Sequence, residues 1–142
     1  MATRWYTSLR ENLQRRPFWM NGLMLFCGYM TFVYVPWDML AKDLDAAEEV
    51  WFGIVLTGWA ARLTEPLHWL IYGLGLVGFW HMRAWMHPWA SLYTLQVAVG
   101  MLVWNLTDSR GAGLWIGLLT AVPFIVLGVL LWRFRNRWQP PA

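Results

Sequence analysis

The chain has 142 residues, 58% of them apolar and 13% charged, with thirteen tryptophans and a formal net charge of +3. That length gives one domain with a modest core, and a water-soluble domain of this composition would carry large apolar patches, a problem that lipid removes. The pI near 9.4 is no nucleic-acid footprint, because the basic residues flank apolar runs and form no single patch; no nucleic acid is expected as a partner.

Arg4, Arg10, Arg15 and Arg16 precede the first apolar run, and Arg133, Arg135 and Arg137 follow the last. A membrane-crossing helix needs about 20 residues. Four such spans are predicted, over residues 18–35, 64–83, 89–107 and 114–132. The fold class expected is all-α, an integral membrane four-helix bundle forming a single domain. Many tryptophans, among them Trp19, Trp37, Trp80, Trp85 and Trp138, fall near span ends. There an indole satisfies both its apolar ring and its N–H. Basic ends and an even number of spans place both termini in the cytoplasm of a bacterial-type inner (plasma) membrane. Asp38, Asp43, Asp45, Glu48 and Glu49, with Lys42, then fall outside. The first run has basic residues before it, but Val33-Tyr34-Val35-Pro36 offers no small-residue cleavage site, so it is expected to stay as an anchor. The lone cysteine, Cys27, excludes an internal disulfide and a thiolate metal cluster and reads as a small buried thiol.

The segment Val50 to Ala61, VWFGIVLTGWAA, is too short as a helix to cross the hydrocarbon core. It is expected to form a short interfacial or re-entrant helix over about 48–62. Joining it to residues 67–80 as one long helix would carry Arg62 and Glu65 toward the middle of the bilayer. Pro66 suits the first position of the second span, with Thr64 as its N-cap. Gly73, Gly75 and Gly78 mark close packing within that span, and Pro123 should kink the fourth.

Charged groups at a membrane are costly, so their positions are functional clues. Asp38, Arg62, Glu65, His68, Asn105 and Asp108 are expected on the outer side. Arg62, Glu65 and His68 are spaced three apart and share a face if the helix continues through Pro66. Glu65 and His68 are the candidate catalytic pair, since a carboxylate beside an imidazole exchanges protons near neutral pH. The alternative is an ion-pair cluster that pins helix ends together. Asp38, Arg62, Trp69, Asn105 and Asp108 are the candidate ligand-binding residues. No metal site and no resident cofactor are predicted. Haem is a secondary reading: His68 and His81, thirteen apart on one helix, would each need a further ligand from a second copy or a partner. There is no G-x-S-x-G, H-E-x-x-H, phosphate-binding glycine loop or CxxC.

The stretch from Glu65 to Arg110 has an acid opening one span, an arginine and His87-Pro88 at the next turn, Leu95-Gln96 entering the following span, and Leu106-Thr107 at its end. In this it resembles part of the emopamil-binding (sterol isomerase-like) family. The resemblance implies a lipid-facing pocket in which acids act on a sterol-like carbocation and tryptophans stabilise it through cation–π contact. The first span lacks the acid and histidine of that pattern. The leading functional expectation is a non-enzymatic accessory subunit or lipid-binding module, with membrane lipids, a second copy or a larger membrane complex as partners. A small enzyme acting on a lipid-like substrate through Glu65 and His68 is the alternative.

Overall fold

A computed structural model describes residues 9–138; Arg4 lies outside the described residues. Pro17 precedes α1, Phe18–Tyr29, which passes through a π-helical turn, Met30–Tyr34, into α2, Val35–Ala41. The helix expected to stop at Val35 therefore reaches Ala41. Pro36 explains the widened turn, because its ring crowds the carbonyl four residues back and it has no N–H to donate. The Val35 N–H reaches to the carbonyl of Met30. In that register the Thr31 carbonyl would await the N–H that Pro36 lacks. The indole Nε1 of Trp69 donates to it instead, at 2.9 Å.

The expected helix over 48–62 is overturned, and a two-stranded hairpin stands there in an otherwise mostly helical chain. Strand β1, Glu48–Trp51, pairs antiparallel with β2, Ile54–Thr57, with Glu48 opposite Thr57 and Trp51 opposite Ile54. Phe52 and Gly53 make the two-residue turn, with φ of 53° and 86°. Positive φ at both central residues is what a tight hairpin loop of the I′ type demands. The flanking V-W and I-V-L-T are β-branched or bulky and suit a pleated surface better than a helix. The hairpin tip rests on the third long helix, where a Cβ on Gly53 would lie 2.5 Å from the Gly100 carbonyl oxygen.

Helix α3 starts at Gly58 and runs to His81, straight through Pro66. Pro66 is thus not at a first helical position. Thr64 is not an N-cap either, and its hydroxyl donates to the carbonyls of Ala60 and Ala61. The segment from Gly58 and the second apolar run form the single long helix that charge placement had argued against. Helix α4, Met86–Thr107, leaves helical geometry at His87, and α5 spans Leu114–Arg133. The four long helical stretches otherwise follow the predicted spans, and the described chain is mostly helical. Two of them, Phe18–Ala41 and Leu114–Arg133, are long and apolar enough to cross a membrane.

Small residues set the helix packing. A Cβ on Gly75 would meet Cys27 Sγ at 2.9 Å, so α3 closes on α1 where the thiol is buried. Ser91 Oγ donates to the Gly128 carbonyl at 2.6 Å, joining α4 to α5. Large apolar side chains such as Phe18, Phe32, Leu63, Trp115 and Leu119 point outward. At one end, Asn12 Nδ2 and Arg16 Nη1 donate to the carbonyls of Trp80 and Phe79, closing the C-terminal turn of α3. Arg16 is buried there, and Trp138 is buried against Phe79 instead of lying at a lipid interface. The opposite end carries the hairpin and the turn 108–113, tied by Arg110 Nη1 to Glu48 at 2.8 Å.

Candidate functional site

The C-terminus of α2 leaves carbonyls without helical partners. Arg62 supplies them: Nη1 donates to the carbonyls of Asp38 and Met39, and Nη2 to that of Lys42. The same Nη1 lies 3.0 Å from Glu65 Oε2. The predicted ligand-binding Arg62 is therefore a clamp that fixes α2 to α3 and orients a carboxylate beneath it. Lys42 pairs with Asp38 one turn back. The hydrogen bond to Asp38 is the main cause that raises the Lys42 pKa above its ordinary value.

His68 does not pair with Glu65. Its Nδ1 bonds Glu49 Oε2, nineteen residues upstream in β1. Trp51 lies flat against the imidazole, with ring centroids 4.0 Å apart and planes 5° apart, and Tyr72 is a second aromatic neighbour at 6.2 Å. Strand geometry brings Glu49 and Trp51 to one place, because residues two apart share a face. Sequence reasoning passed over Glu49 since a helical register sets it apart from Trp51. The signal that finds it is the hairpin signature, two bulky apolar runs separated by Phe52-Gly53.

Asp38 from α2, Glu49 from β1 and Glu65 from α3 each bring a carboxylate oxygen within 4.8 Å of the others. Glu65 is fully buried, and its Oε1 has no hydrogen-bond partner. Asp38, Glu49 and His68 face an open cavity of about 450 Å³ bordered by the α1–α2 helix, the hairpin, α3 and α4. Its remaining wall is mainly apolar or aromatic, including Met30, Val35, Phe52, Tyr72, Val97, Met101 and Trp104. The π-helical turn contributes Met30 and Tyr34 to this wall, so the irregularity set by Pro36 also shapes the cavity.

The structure thus brings together Asp38, Arg62, Glu65 and His68 of the predicted site residues. The other three stand apart. Trp69 is held against Thr31. Asn105 fastens the α4–α5 turn, donating to the Met101 carbonyl and accepting from the Ala112 N–H. Asp108 follows the end of α4 and is bonded to Arg110. His81 is exposed at the far end of α3 from the hairpin.

No protein-family model, curated protein or solved structure matches the chain. The functional reading accordingly comes from the geometry of this cavity.

Proposed function

We propose that the chain is a multi-pass membrane protein, with four crossings and both termini cytoplasmic, that holds a small amphiphile in the cavity beneath the hairpin. Outward-pointing apolar side chains along the helices support a lipid surround. Most arginines gather at one end of the helices, with Arg62 and Arg110 ion-paired at the other beside the acidic hairpin, which favours a cytoplasmic arginine-rich end.

The observation that carries the ligand-binding reading is the mixed lining of the cavity, where the carboxylates of Asp38, Glu48 and Glu49 and the imidazole of His68 share one space with Met30, Val35, Val97, Met101 and Trp104. A volume of about 450 Å³ lies within the usual range of small-molecule sites, about 300–1,000 Å³. A polar head then meets Asp38, Glu49 and His68 while its tail lies along the apolar wall.

Native mass spectrometry of the chain released from mild detergent tests this reading. A small amphiphile should accompany the wild-type chain and be lost in Val97→Phe, which fills the apolar wall. A wild-type chain that carries no such adduct from any membrane preparation sinks the proposal.

A further inference from the structure

Three carboxylates from three different elements converge, although like charges this close resist ionising together. Part of the compensation is visible. Each carboxylate has one oxygen engaged by a basic side chain: Lys42 at Asp38, His68 at Glu49 and Arg62 at Glu65. These contacts hold the carboxylates in position, as outer partners do for the ligands of a metal. They do not complete the site, because Glu65 Oε1 remains buried and unpartnered. A carboxylate oxygen kept from water without a donor is unfavourable unless something else fills its place.

We infer that Asp38, Glu49 and Glu65 bind one hard divalent cation where Asp38 and Glu49 meet the cavity. The donor set is oxygen only, since the three converging side chains are all carboxylates and Cys27 is buried against Gly75. Carboxylate oxygens select calcium, magnesium or manganese over softer metals. A calcium-sized ion about 2.4 Å from each ligand bridges oxygens up to about 4.8 Å apart, and the three carboxylates converge within 4.8 Å. Charge agrees with size. The converging group sets the three acids Asp38, Glu49 and Glu65 against the two bases Lys42 and Arg62, so a cation is favoured there. Asp38 and Glu49 line the cavity, so the ion's remaining positions open toward it. This site goes beyond the amphiphile reading and does not rest on it.

The full chain in detergent, stripped with a chelator, is titrated separately with calcium, magnesium and manganese chloride. Calorimetry should give saturable binding of a single ion. The thermal midpoint should rise with ion concentration, since the ion binds the folded form. Glu65→Gln and Glu49→Gln should each weaken binding at least about tenfold. If Glu65→Gln fails to fold, Glu49→Gln, altered on the hairpin, decides alone. No saturable binding up to about 1 mM, the weak end of biological calcium sites, overturns the inference. So does undiminished binding in the folded variants, or an equal response to sodium chloride.

Discussion

Trp51 stacks on His68 with ring centroids 4.0 Å apart and planes within 5° of parallel, joining the hairpin to α3. The contact lies beside the Glu49–His68 bond, so one face of β1 supplies both a flat cover and a carboxylate to the same imidazole. Trp51→Ala should destabilise the protein by about 2 kcal/mol, the aromatic contact plus part of the burial of a large ring. Unfolding in detergent, followed through hydrogen exchange of residues 48–57, should show the hairpin released before the helices. Unchanged hairpin protection in the variant would contradict the docking role.

The Trp69–Thr31 bond exists because of Pro36. Trp69→Phe should cost about 1 kcal/mol, the net worth of one hydrogen bond to a backbone carbonyl. In a Pro36→Ala background the restored N–H can serve the Thr31 carbonyl. The cost of Trp69→Phe should then fall by about half or more, read as a coupling energy in a double-mutant cycle. Simple additivity of the two changes would refute the account of the π-helical turn.

Gly53 and Gly58 both have positive φ, 86° and 57°, but only Gly53 is enclosed. Gly58→Ala should cost about 1 kcal/mol, the left-handed backbone penalty alone. Gly53→Ala adds the collision with the Gly100 carbonyl oxygen and should cost clearly more, above about 2 kcal/mol, with the hairpin displaced from α4. Equal thermal midpoints for the two variants would show that the tip is not seated on α4.

Hydrogen bonds from Arg110 hold the Asp108 carboxyl below the usual aspartate range. A depressed folded-state pKa stabilises above the unfolded value, about 3.9, and that contribution disappears as pH falls through the folded value. Amide exchange across residues 108–113, corrected for its intrinsic pH dependence, should therefore stay protected from neutral pH down to about 4 and open below it. Asp108→Asn should remove the step. A turn that opens between pH 7 and 5 in the wild type would assign the tie to other groups.

Much of the framework was legible in the residues. The four apolar runs fixed the places of the long helices. The last was met to within one residue at Arg133, because a long apolar stretch between Gly113 and a cluster of arginines has few alternatives. Gly75 and Cys27 were readable as close packing and a small buried thiol for the same local reason. The hairpin was not. A short apolar run such as Val50 to Thr57 suits either a helix or a strand, and periodicity alone does not separate them. The two positive φ values at Phe52 and Gly53, against the close face of Gly100, settled it.

Sequence by itself determined the apolar lengths and the distribution of arginines, and it offered the i, i+3 spacing of Arg62 and Glu65, all of which are properties of neighbours along the chain; the helix through Pro66 that makes this spacing a contact came from the tertiary structure. Only the tertiary structure decided that His68 answers to Glu49, that Trp69 serves Thr31, and that Asp38, Glu49 and Glu65 meet at one point. Those contacts join residues from separate elements. Their geometry depends on how the hairpin folds back over two helices, and no spacing along the chain encodes that distance.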